Sequence, residues 1–66
     1  MNKSDLAQVL EVSESYLNSQ EKRILENRRK YGIEIKKIGH GRTAQYGIKF
    51  PWMDEMVWGI DEVEIR

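Results

Sequence analysis

The chain has 66 residues, no cysteine, one histidine, and eleven Lys and Arg against eleven Asp and Glu. That length accommodates one small domain, and the lack of cysteine excludes a disulfide framework, a redox pair and a thiolate zinc site. With His40 as the single imidazole, no histidine metal site is expected. No run approaches the ~20 apolar residues of a membrane span. Met1-Asn2-Lys3-Ser4-Asp5 lacks the apolar segment of a signal peptide, so a cytoplasmic protein is expected.

The zero net charge argues at first against a nucleic-acid partner, but it is the sum of two opposite halves. Residues 1–50 carry ten basic and six acidic side chains, a net +4, whereas residues 51–66 carry Arg66 against Asp54, Glu55, Asp61, Glu62 and Glu64, a net −4. Between Lys22 and Arg42 there are eight basic side chains and two acidic ones. Such asymmetry marks an electrostatic footprint that the total conceals.

In chain order, Ser4 reads as a helix N-cap, followed by Leu6, Ala7, Val9 and Leu10 in helical spacing. Val12 and Ser13 interrupt, and Ser13 is a second N-cap that opens a longer helix. Leu17, Ile24, Leu25 and Tyr31 fall on one face of it. Gly32 is the expected residue after its end, and Arg28, Arg29 and Lys30 in the last turn suit the helix dipole. Asn18 with Glu21 fits a capping box, which predicts a restart or kink near Asn18.

A hairpin follows. Ile33, Ile35 and Ile38 mark its first strand, and the three-residue step from Ile35 to Ile38 predicts a bulge near Lys36-Lys37. Gly39-His40-Gly41-Arg42 forms the turn, with two residues free to take positive φ. Ala44, Tyr46, Ile48 and Phe50 alternate as the apolar face of the second strand, against Thr43, Gln45 and Lys49. Pro51 suits the first position of a short helix bearing Trp52, Met53, Met56, Val57 and Ile60, with Trp58 beside them. Val63 and Ile65, alternating with Glu62, Glu64 and Arg66, read as a short strand or a frayed end.

The segment from Leu6 to Leu17 resembles the helix-turn-helix of bacterial and phage DNA-binding proteins. Their pattern runs roughly L-A-x-x-L-G-V-S-x-x-x and closes on Ile, Leu or Val; here Leu6, Ala7, Leu10, Val12, Ser13 and Leu17 occupy the matching places. Ala7 is small where the second helix crosses, the larger side chains fill the wedge, and Ser13 caps the recognition helix. The departure is Glu11, where the family usually has a positive-φ glycine, at a cost of ~1 kcal/mol. Downstream, Tyr31-Gly32-Ile33-Glu34-Ile35, Ile38-Gly39 with Gly41, and Tyr46 with Ile48 look like a β-wing. The order as a whole is similar to small MerR-like and excisionase-like regulators, over about residues 4 to 58. A further departure is that no helix precedes the motif.

The resemblance implies an α+β fold, a small winged helix-turn-helix spanning 1–66: helix-turn-helix 4–31, wing 33–50, acidic segment 51–66 with a short C-terminal helix. It implies sequence-specific binding to double-stranded DNA, as a transcriptional regulator or excisionase-like recombination factor of a phage or mobile element. The recognition helix would present Ser15, Asn18, Ser19 and Lys22, with Arg23 beside them, to the major groove. Asn18 suits adenine, Lys22 suits guanine O6 and N7, and Glu14 either accepts from cytosine N4 or repels the backbone. Lys36, Lys37, His40 and Arg42 lie on or near the wing, placed for phosphates or for an arginine in the minor groove.

Gly39-His40-Gly41-Arg42-Thr43 lacks the Lys-Ser/Thr of a phosphate loop and opens no helix, so it reads as a hairpin turn. The acidic pairs Asp54-Glu55 and Asp61-Glu62 read as solvated termini rather than a metal site or acid pair. No enzyme activity, cofactor, metal or small-molecule substrate is expected. Trp52, Met53, Met56 and Trp58 divide between core and an interface with a second copy or a protein partner. Two alternatives stand beside the leading one: a module that binds and inhibits a protein through the acidic tryptophan-bearing end, or the N-terminal DNA-binding domain of a longer chain.

Overall fold

A computed structural model describes residues 1–63. Two helices, α1 (Lys3–Val9) and α2 (Glu14–Lys30), precede an antiparallel hairpin of β1 (Glu34–Ile38) and β2 (Gln45–Lys49), so the fold is α+β. The cap of α1 is Asn2 rather than Ser4: the Asn2 side chain accepts from the Asp5 amide at 2.8 Å, which starts the helix at Lys3. Leu6 and Ala7 are its buried residues. Ser13 caps α2 as expected, accepting from the Tyr16 amide at 3.0 Å. In the turn between the helices Glu11 takes φ +59°, the left-handed conformation that a side chain resists.

The break in α2 falls at Gln20 (φ −125°, ψ 24°), two residues beyond Asn18. Glu21 does not serve a capping box; its carboxylate is turned to the Tyr46 hydroxyl. The helix closes at Gly32, φ +84°, where the Ile33 amide donates to Arg28 O at 3.1 Å and the Gly32 amide to Arg29 O at 3.0 Å. Those two bonds satisfy carbonyls that a helix end leaves open. Tyr31, expected on the apolar face with Leu17, Ile24 and Leu25, is 70% exposed: it is the C-cap of α2, and its backbone (φ −96°, ψ 11°) has left the helical spiral that sets that face.

No bulge interrupts the hairpin. Glu34 pairs with Lys49, Ile35 with Ile48, Lys36 with Gly47, Lys37 with Tyr46 and Ile38 with Gln45. The irregular spacing of isoleucines has a simpler cause: Ile35 faces the core with Ile48, while Ile38 lies on the other face and is 61% exposed. The turn uses two positive-φ glycines, Gly39 (+81°) and Gly41 (+66°), around a short 3-10 turn Gly41–Thr43. In β2 the apolar alternation holds: Ala44, Tyr46 and Ile48 are buried and Phe50 is half-buried.

The outer edge of β2 is covered from both ends of the described chain. The Tyr46 amide donates to Met1 O at 2.7 Å and the Met1 amine donates to Tyr46 O at 2.8 Å. Two residues along, Ile48 and Val57 exchange both backbone bonds at 2.9 Å. This second pairing replaces the helix expected after Pro51. Pro51 and Trp52 form a turn, residues 53–58 run irregularly, and Ile60–Glu62 make a single 3-10 turn. The buried amide and carbonyl of Ile48 need partners, and the backbone of Val57 supplies them only if it is not helical. Val57 and Val63 pack against the core, in which Leu6, Leu17, Tyr46 and Ile48 are fully enclosed. The alternation expected at Glu64, Ile65 and Arg66 lies outside the described residues.

The stripe Trp52, Met53, Met56 and Trp58 is therefore dispersed. Met53 is buried, Trp52 stacks on Phe50 with ring centroids 4.8 Å apart, and Met56 and Trp58 close over Gly47. Among the described residues no helix is long and apolar enough to cross a membrane.

Candidate nucleic-acid interface

The face of α2 that turns from the core carries Ser15, Asn18, Ser19, Lys22 and Arg23, all exposed. Ser19 donates its hydroxyl to Tyr16 O at 3.1 Å, so its oxygen lies close along the helix. Between the start of α2, the start of α1 and the hairpin tip runs a groove of about 480 Å³. Lys3, Lys37 and Arg42 supply its positive charge, Glu14 the negative, and Asn2, Ser4 and Asn18 neutral polar groups.

The structure thus brings three of the expected contact residues into one concavity: Asn18 from α2, Lys37 from β1 and Arg42 from the turn. It separates others. The register sets Lys36 opposite Gly47, on the face where Met56 and Trp58 pack, whereas its neighbour Lys37 faces the helices opposite Tyr46. Lys36 and Lys37 therefore point to opposite sides of the hairpin. Arg23 lines a separate depression with Tyr16 and Arg28. His40 is exposed in the turn, where its carbonyl accepts from the Thr43 hydroxyl at 3.2 Å.

Comparison with family models, with curated proteins and with solved structures found no match.

Behind the groove stands Glu21. Its Oε1 accepts from the Tyr46 hydroxyl at 2.6 Å and lies 3.4 Å from Lys3 Nζ, while its Oε2 lies 3.8 Å from Lys37 Nζ. The Tyr46 hydrogen bond, with help from the charges of Lys3 and Lys37, holds the Glu21 carboxyl below its ordinary range in spite of partial burial. Burial, and then the Glu21 carboxylate, push the Tyr46 hydroxyl well above the tyrosine range. Lys37 also lies 5.8 Å from the centroid of the Tyr46 ring, within cation–π reach.

Neither Lys3 nor Glu21 is among the contact residues expected from the sequence. Lys3 precedes the apolar pattern of the first helix, and Glu21 reads locally as a capping residue; Glu21 meets Lys3 18 positions before it and Tyr46 25 positions after it. Arg28, which reads as a helix-end cation, has a structural partner: its Nη2 donates to Leu10 O at 3.3 Å, tying the far end of α2 to the turn after α1.

Proposed function

We propose that the protein binds double-stranded DNA sequence-specifically as a small winged helix-turn-helix. The N-terminal half of α2 enters the major groove and the hairpin turn lies along the adjacent backbone. The observation that carries this reading is the groove in which Asn18, Lys37 and Arg42 converge from three separate elements, rimmed by the exposed face of α2. One of these residue types reads base edges and two neutralise phosphates, the combination that a specific DNA interface requires. Glu11 adds support: its φ of +59° occupies the turn position where helix-turn-helix proteins use glycine. The role that follows is regulation of transcription or of recombination, of the kind served by small phage and mobile-element factors.

The test is a titration of random and genomically selected duplexes at several salt concentrations. DNA binding through this face gives a log–log salt dependence with a negative slope of about 0.9 per phosphate contacted. Selected duplexes bind more tightly than random ones. Indifference to every duplex would overturn the reading in favour of a protein-binding module.

A further inference from the structure

The two oxygens of Glu21 have unequal duties. Oε1 is held twice, by the Tyr46 hydroxyl at 2.6 Å and by Lys3 at 3.4 Å, whereas among the described residues Oε2 has Lys37 alone, at the longer distance of 3.8 Å. The carboxylate is therefore anchored to β2 and α1 whether or not Lys37 remains beside it. Lys37 is the arm that can leave. It is also one of the cations lining the groove, and Glu21 is not among the groove's lining residues. A carboxylate fixed behind a lysine presents it with the charge, and nearly the geometry, that a phosphate would offer from the front.

We propose that Glu21 is a positioning residue that stands in for a DNA phosphate: it holds Lys37 beside the groove in the free protein and yields it to the backbone on binding. The proposal rests on the DNA-binding reading above. Its consequence is a brake on indiscriminate association, because every duplex must first draw Lys37 from its internal partner. The brake acts through one ion pair, so it differs from general repulsion by a nearby negative charge, which Lys37 would not affect. Lys3 stays with Oε1 in both states, and the Tyr46 bond keeps the carboxylate from following Lys37.

The test is a double-mutant cycle on affinity for a random-sequence duplex, with Glu21→Gln, Lys37→Met and the pair together. Glutamine keeps an acceptor for Tyr46, and methionine keeps an apolar stem over its ring, so both variants are expected to fold; circular dichroism checks this. Glu21→Gln is expected to tighten binding about two- to fivefold, the range of a screened surface ion pair. Its salt slope should stay near that of the wild type, because Lys37 reaches the phosphate in both complexes, whereas Lys37→Met should flatten the slope by about 0.9. In the Lys37→Met background Glu21→Gln should have little effect. A carboxyl-carbon NMR resonance of Glu21 should move when duplex is added to the wild type and stay fixed in Lys37→Met. Equal tightening with and without Lys37 would overturn the proposal and leave DNA binding standing. Absence of salt-dependent binding in wild type and variants alike would overturn both.

Discussion

The Tyr46 hydroxyl donates to Glu21 Oε1 across 2.6 Å, joining β2 to α2 at the point where that helix kinks. Gln20, the kinked residue, immediately precedes Glu21, and Tyr46 is fully buried. A buried phenol needs a partner for its hydroxyl, and this one meets a carboxylate that also gathers Lys3 from α1 and Lys37 from β1. One carboxylate thus couples α1, α2, β1 and β2.

This bond should shape stability against pH. The Glu21 carboxyl is held below its ordinary value of 4.5, so its contribution is present above that value and is lost as pH falls through the depressed folded value. The Tyr46 hydroxyl is raised above its ordinary value of 10.0, so its contribution is present below 10.0 and is lost as pH rises through the raised one. Tyr46→Phe should lower the plateau between these limits by about 1–2 kcal/mol. It should also remove the tyrosine contribution to the alkaline decline and shrink the acid decline. Urea unfolding of both proteins across the pH range measures this; unchanged declines in the variant would assign them to other groups.

Glu11→Gly should stabilise the protein by about 0.5–1 kcal/mol, since glycine takes φ +59° without the side-chain penalty and the gain exceeds its extra unfolded entropy. A β-branched residue there, as in Glu11→Val, should destabilise it. Thermal midpoints of the three proteins order the effect. A lower midpoint for the glycine variant would mean that the Glu11 side chain contributes more than the strain costs.

Gly47→Ala should destabilise by about 1–3 kcal/mol, the range for overpacking a filled site. A Cβ at residue 47 would stand 2.8 Å from both Met56 Sδ and Trp58 Cε2. Met56 can move aside, but the indole of Trp58 must swing outward, so tryptophan fluorescence should shift to the red along with the lower unfolding midpoint. An unchanged spectrum would show that Met56 alone gives way.

Asn18→Ala should abolish discrimination between selected and random duplexes while leaving most of the salt dependence, because Asn18 is neutral and placed to read base edges. Arg42→Ala should instead weaken binding to all duplexes and reduce the salt slope by about one. Anisotropy titrations on both duplex types separate the two outcomes; the opposite pattern would exchange their roles.

The features legible in the sequence are those set within a few residues. Ser13 accepts from an amide three positions on, Gly32 closes a helix by its own freedom at positive φ, and Ala44, Tyr46 and Ile48 share a face because strand side chains alternate. The opposite charges of residues 1–50 and 51–66 are likewise a property of the sequence, and they gave the zero total its meaning.

Tertiary structure decided the rest. The apolar spacing after Pro51 suits a helix, yet the edge of β2 needs hydrogen-bond partners and takes them from Val57, so the segment stays extended at that point. The step from Ile35 to Ile38 suggests a bulge, yet burial of only one of the two leaves the ladder regular. The groove combines Lys3, Asn18, Lys37 and Arg42, and Glu21 meets Tyr46, through the packing of helix on hairpin. Local chemistry determines which residues begin, end and line an element. Which elements meet, and therefore which charges share a site, follows from burying the core and satisfying its backbone groups together.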